Sequence, residues 1–263
     1  MKEYLVIGNP ITHSLSPELH NYWMRENGIN GIYDKKKLNE NDLKEFFLKI
    51  RNKEINGANI TVPFKRDVIP YLDQLSFESE KTQSVNTVYL KNEKIIGHNT
   101  DIDGFELAIK DVNYDVKGKK VLILGAGGVV PSVIFALYKM GVLSITISNR
   151  TKSKAEDLKN IFNKLEIVEW GETPNFDMII NATSIGLKNE DGIKLDYSQI
   201  EPNKFFYDVI YNPKETIFLK RAKLFGNRAE NGKMMFIYQA HQSFTIWHKL
   251  MPEINEEVIN LLD

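Results

Sequence analysis

Val121-Leu122-Ile123-Leu124-Gly125-Ala126-Gly127-Gly128 sets a short apolar strand directly before a glycine turn, and a helical pattern follows over residues 128–141. Glycines in that context let the backbone turn sharply and approach a ligand. Free N–H groups and the helix dipole then favour negative charge, as in the pyrophosphate sites of strand–turn–helix units. The turn Gly125, Ala126, Gly127, Gly128 and Val129 is therefore the expected nucleotide cradle. Where a third small residue is usual the chain has Val130, followed by Pro131, so helix–strand packing is expected to be looser or shifted there. Outward from the turn, residues 144–148, 167–170, 176–181 and 205–210 read as strands, and 152–164, 213–225 and 232–249 as helices. Such alternation builds a parallel, doubly wound sheet.

The first hundred residues alternate as well, with strands expected at 3–7, 31–38, 58–61 and 85–90 and helices at 17–27 and 41–51. The fold class expected is α/β in two domains with a cleft between them. Length and composition agree: 263 residues, 42% of them hydrophobic, are enough for two cores. The longest apolar run, 133–138, is too short to span a bilayer, and no secretory h-region opens the chain, so the expected compartment is the cytoplasm with no membrane partner. Thirty-four basic against thirty-five acidic residues give a net charge of −1, which offers no general attraction to nucleic acid. Without cysteine there are no thiolate nucleophiles or disulfides, and the five histidines lack metal-ligand spacing, so no metal site is expected. Chemistry is left to lysine, aspartate and hydroxyl groups, with an organic cofactor.

Cofactor choice is read at the end of the second strand, where an NAD site usually places an acid against the ribose hydroxyls. Here the residues are Asn149-Arg150-Thr151. A guanidinium grips a 2′-phosphate that a carboxylate would repel, and Lys154 adds charge one helical turn on, so the expected cofactor is NADP.

Polar groups gather in four segments of the first domain: Gly8-Asn9-Pro10-Ile11-Thr12-His13-Ser14-Leu15-Ser16-Pro17, Asn59-Ile60-Thr61-Val62-Pro63-Phe64-Lys65, Val85-Asn86-Thr87 and Asn99-Thr100-Asp101-Ile102-Asp103-Gly104. Asn181-Ala182-Thr183-Ser184-Ile185-Gly186, Asp208-Val209-Ile210-Tyr211-Asn212-Pro213 and the segment from Asn231-Gly232 to Gln239 do the same in the second. Read alone, Ser16-Pro17 is a helix cap, Asn86-Thr87 a turn, Asp101 an N-cap for a helix beginning near Gly104, and Met235 a core residue.

Together, in order and over nearly the whole chain, these motifs resemble the shikimate dehydrogenase family. The resemblance implies reversible reduction of 3-dehydroshikimate to shikimate with NADPH, by a monomer or homodimer. It also implies a substrate domain of residues 1–101 plus 237–263 and an NADP-binding domain of 102–236. Lys65 and Asp101 become the catalytic pair. Ser14 and Ser16 would bind the substrate carboxylate, Asn59, Thr61, Asn86, Tyr211 and Gln239 its ring hydroxyls, and Thr183, Val209 and Gly232 would line the nicotinamide pocket. Departures from the family pattern are Gln83-Ser84 before Val85, Val130 after the turn, and Leu187. Two alternatives stand beside this reading: a quinate/shikimate dehydrogenase that also uses NAD, and a module that senses shikimate or NADP(H) without turnover.

Overall fold

The computed structural model describes residues 1–188 and 192–262. The chain forms two compact units, Met1–Gly104 with Ile237–Asp263, and Phe105–Phe236. No described helix is long and apolar enough to cross a membrane.

The first unit holds strands β1 (Lys2–Gly8), β2 (Gly31–Lys37), β3 (Gly57–Ile60), β4 (Gln74–Leu75), β5 (Thr87–Lys91) and β6 (Lys94–His98) in the order β2-β1-β3-β5-β6-β4. Helices α1 (Ser16–Glu26), α2 (Leu43–Arg51) and α3 (Phe77–Thr82) lie between them, and α4 (Asp101–Asp111) carries the chain onward. β1 runs parallel to β2 and β3, whereas β5 is antiparallel to both β3 and β6. That reversal matters for function. It brings the start of β5 to the finish of β3, where the Ile60 amide donates to the Asn86 carbonyl at 2.8 Å. On one side α2 supplies Phe46, Phe47 and Ile50 to a core with Leu5, Ile7, Ala58 and Val88.

The second unit begins with β7 (Lys120–Leu124), α5 (Val130–Lys139), β8 (Ser144–Ser148), α6 (Lys152–Ile161) and β9 (Glu166–Val168). It continues with β10 (Met178–Asn181), β11 (Phe205–Asp208), α7 (Ile217–Leu224) and β12 (Arg228–Glu230), and α8 (Lys233–His248) and α9 (Glu256–Asn260) complete the chain. All pairings in the order β12-β11-β10-β7-β8-β9 are parallel. Winding outward both ways from β7 and β10 is the dinucleotide-binding arrangement, with its switch point between those two strands. The four residues of β10 and of β11 are buried throughout, as strands covered on both faces must be.

The structure corrects several expected boundaries. The helix after the glycine turn starts at Val130, not residue 128. Gly127 and Gly128 lose most entropy on entering a helix, while Pro131 lacks only an N–H that the first turn leaves unbonded. The helix expected at 213–225 begins at Ile217, because Thr216 caps it by accepting from the Leu219 amide. Short elements with little periodicity, namely β4, α3, β6, β12 and α9, were not expected at all.

Candidate active site

In the first unit the four polar segments converge on one network. Lys65, after β3, donates to the Asp101 Oδ2 at 2.5 Å, and both side chains are buried. The Asn86 Nδ2 donates to the other Asp101 oxygen at 2.9 Å and to the Thr100 hydroxyl at 2.9 Å. In return the Asn86 Oδ1 accepts from the Thr100 amide at 2.8 Å and the Thr87 hydroxyl at 3.0 Å. Asp101 opens α4, and its own amide donates to the Asn99 Oδ1 at 3.1 Å. Its carboxylate is therefore spent on Lys65 and Asn86, and the expected N-cap role with a helix start near Gly104 is corrected.

The network continues through Asn59, which donates to the Asn86 carbonyl and the Thr87 hydroxyl, each at 3.1 Å, and accepts from the Tyr33 hydroxyl at 2.7 Å. Burial pushes the Tyr33 phenol well above its ordinary range, and a hydrogen bond with Ser16 works against that rise. Ser16 in turn meets Ser14: the Ser14 hydroxyl donates to the Ser16 Oγ at 3.2 Å. Ser16 is the first residue of α1, with Leu15 at the cap position and Pro17 in the first turn, so the reading of Ser16 as a cap is also corrected. Ser14, Ser16, Asn59, Asn86, Lys65 and Asp101 are thus joined in one unbroken chain of bonds. Both N–H groups of the Asn59 and Asn86 amides are used within the protein, which fixes their orientation. Thr61 follows β3 with its methyl group against Gly8, where an added Cβ would come within 2.5 Å. Gln239 lies on α8 within this unit. Tyr33 carried no recognisable motif in sequence, and Thr87, Asn99 and Thr100 stood in quoted segments without a role.

Gln83 adopts φ 49°, ψ 40°, the left-handed conformation at the end of α3. This departure from the family pattern lies just ahead of Asn86 and places a side chain in a backbone conformation that favours glycine. Leu187 is exposed.

In the second unit Gly125 directly follows β7 with φ +111°, and a Cβ there would stand 2.8 Å from the Ala182 carbonyl oxygen. At Gly127 the nearest atom to an added Cβ is that same oxygen at 3.7 Å, so the turn from Ala126 to Val129 keeps open, accessible backbone. Val130 is fully buried, its amide bonded to the Gly127 carbonyl at 3.0 Å, so the turn accommodates a valine. Beyond β8, the Asn149 side chain donates to the Thr151 carbonyl at 2.7 Å, which shapes the loop that presents Arg150. Arg150 and Lys154 are exposed and form no ion pair among the described residues, whereas Lys152 is tied to Glu169 at 2.6 Å. Backbone open at a helix start and two unspent cations after the next strand fit a dinucleotide carrying an additional phosphate.

Beside the turn, Asn181 accepts from the Thr183 amide and hydroxyl at 3.0 and 2.7 Å and donates to Asp208 at 3.0 Å. Gly232 packs on Val209 so closely that a Cβ would lie 2.3 Å from the Val209 carbonyl oxygen. Tyr211, expected to touch substrate, belongs to this unit and stacks on Phe236 with ring centroids 4.4 Å apart. Met235 is buried, as its place on α8 implied. Among the described residues no cluster of three or more metal-ligating side chains occurs.

Residues 6–88 match the family model for the shikimate dehydrogenase substrate binding domain, and residues 106–189 that for shikimate / quinate 5-dehydrogenase. The chain is 58% identical over 262 residues to the shikimate dehydrogenase (NADP(+)) of Pelagibacter ubique, covering 100% of this chain and 99% of that protein. The solved shikimate dehydrogenase of Aquifex aeolicus superposes with a TM-score of 0.90 at 37% identity, covering 100% and 97% of the two chains. Shikimate 5-dehydrogenase from Thermus thermophilus, solved in complex with NADP(H) and shikimate, gives 0.90 at 30% identity and covers 100% and 98%.

Proposed function

The chain belongs to the shikimate dehydrogenase family, and from that premise we propose that it reversibly reduces 3-dehydroshikimate to shikimate with NADPH. The observation that carries the reading to chemistry is the buried 2.5 Å contact between Lys65 and Asp101, held from behind by Asn86. When bound, NADPH supplies the hydride. As negative charge grows on the substrate's carbonyl oxygen, the Lys65 ammonium stabilises it and transfers a proton from Nζ to that oxygen. In the oxidative direction the amine takes the proton of the substrate hydroxyl. Asp101 keeps Nζ in place and accepts from that hydroxyl, while Asn86, itself fixed by Thr100, holds its carboxylate.

Ser14 and Ser16 offer hydroxyls to the substrate carboxylate, and Asn59, Thr61, Asn86, Tyr211 and Gln239 serve its ring hydroxyls. Since the Asn59 and Asn86 amide hydrogens are used internally, Asn59 acts through its oxygen, and Asn86, whose oxygen already accepts from Thr87 and Thr100, acts through the groups it aligns. Gly125, Ala126, Gly127, Gly128 and Val129 would cradle the pyrophosphate. Asn149, Arg150, Thr151 and Lys154 would hold the 2′-phosphate, and Thr183, Val209 and Gly232 the nicotinamide. Substrate binding is assigned to residues 1–101 with 237–263 and cofactor binding to 102–236. The proposal extends to a cytoplasmic enzyme acting as a monomer or homodimer, supported by the small-molecule biosynthetic role of the family.

Reduced-nicotinamide absorbance on mixing the protein with shikimate and NADP, beside cells containing quinate or NAD, tests this reading. Signal with shikimate and NADP is expected. Silence in every cell while NADP still binds would overturn it.

A further inference from the structure

The hydroxyls assigned to the substrate carboxylate are neutral, and moving a carboxylate from water to neutral donors is costly unless positive charge stands nearby. The structure holds such a charge beside them. Lys35, on edge strand β2, donates from Nζ to the Thr12 carbonyl at 2.8 Å and to the Ser14 carbonyl at 3.4 Å. Those carbonyls lie in the loop that presents Ser14, whose hydroxyl bonds to Ser16. An ammonium has three N–H bonds, so one is left after these two. Lys35 is half-buried and enters no ion pair among the described residues.

Strand geometry singles out this lysine from its neighbours. Alternate residues of a strand share a face, which puts Lys35 on the side of Tyr33 and turns Lys36 to the other. Tyr33 is the residue that links Ser16 to Asn59. Side by side on β2, Tyr33 thus supports the ring-hydroxyl end of the network and Lys35 the carboxylate end.

Resting on the substrate assignment above, we infer that Lys35 is a specificity-determining residue. Its charge pairs with the substrate carboxylate at Ser14 and Ser16 and makes the site select an acid over a neutral analogue. A unit charge about 6 Å from a carboxylate, at an effective dielectric of about 40 for a half-exposed lysine between protein surface and water, changes affinity by about tenfold.

Steady-state oxidation of shikimate and of its methyl ester with NADP, for the wild type, Lys35→Met, Lys35→Gln, Lys35→Arg and Lys36→Met, tests the inference. Lys35→Met and Lys35→Gln should each raise KM for shikimate about tenfold while kcat stays within about twofold, and should leave the ester unaffected. Lys35→Arg should restore the preference for the acid, and Lys36→Met should not disturb it. In the wild type, raising salt from about 20 to about 500 mM should weaken shikimate but not the ester, a reading that needs no variant to fold. Equal loss for acid and ester would show that Lys35 merely props the loop, and unchanged kinetics in the variants or a salt-independent KM in the wild type would also overturn the inference. Wild-type protein that binds NADP but turns over neither compound would instead overturn the functional reading on which it rests.

Discussion

Asp208→Asn separates the cost of a buried charge from the hydrogen bonds that surround it. Asp208 ends β11 fully buried, and its carboxylate accepts from the Ile210 amide and the Asn181 side chain, each at 3.0 Å, and from the Thr216 hydroxyl at 2.7 Å. No cation pairs with it among the described residues. Burial dominates over the three donors and pushes the carboxyl from 3.8 up to about 6. The folded chain therefore takes up this proton at higher pH than the unfolded chain does. The stability it confers is fully present below about pH 3.8 and is lost as pH rises through about 6.

That displacement corresponds to about 3 kcal/mol in acid, of which about 1.4 kcal/mol survives at about pH 5 and almost none at about pH 7.5. Asparagine carries no charge at either pH. Whatever constant amount its altered hydrogen bonds contribute, the stability of Asp208→Asn relative to wild type should therefore improve by about 1.4 kcal/mol between about pH 5 and about pH 7.5. Urea unfolding of both proteins at both values, followed by circular dichroism, measures that double difference directly. A difference that is the same at both, or of opposite sign, would refute the claim that Asp208 is held against its own ionisation.

Lys65→Ala should lower turnover by about two to four orders of magnitude with shikimate still bound, and should destabilise the fold by about 3 kcal/mol by leaving Asp101 buried and unpaired. Adding Asp101→Asn should recover the stability without recovering turnover, as thermal melts and kinetics on the same samples will show. Arg150→Ala should weaken NADP by about tenfold to a hundredfold while sparing NAD, and Lys152→Ala, whose ammonium is already committed to Glu169, should do little; titration calorimetry distinguishes them. Gly125→Ala, clashing with the Ala182 backbone at φ +111°, should cost about 3 kcal/mol of stability. Gly127→Ala, with 3.7 Å of clearance, should melt like wild type yet bind NADP poorly.

The second unit was legible because its signals are local. A strand, a glycine turn and a helix are contiguous in sequence, and Arg150 is read by counting from that turn. The first unit was legible only as pieces. Nothing in the spacing of Asn59, Asn86 and Asp101 says that β5 runs against β3, yet that reversal is what brings Asn86 beside Ile60 and Asp101. Tyr33 was missed for the same reason, since a tyrosine among Asp34, Lys35, Lys36 and Lys37 reads as an edge-strand residue until the parallel pairing with β1 carries it over Asn59. Asp208 was quoted as part of a motif, but its burial depends on two flanking strands and on Thr216.

The bonding in the first unit also explains why a site built mainly from neutral groups can be stiff. An amide with an idle N–H can swing to meet solvent or ligand, whereas Asn59 and Asn86 have no donor to spare, so turning either breaks several buried bonds together. The cost of reorganisation is met when the chain folds, before substrate arrives. Lys65 and Asp101 are the buried charged members of that network, and their charges cancel. Moving a proton from Nζ to a developing alkoxide neutralises the ammonium and the alkoxide together and leaves the net charge of the site unchanged. The surrounding hydroxyls and amides can then stay fixed through the step, which is the condition under which a positioned lysine outperforms the same amine in water.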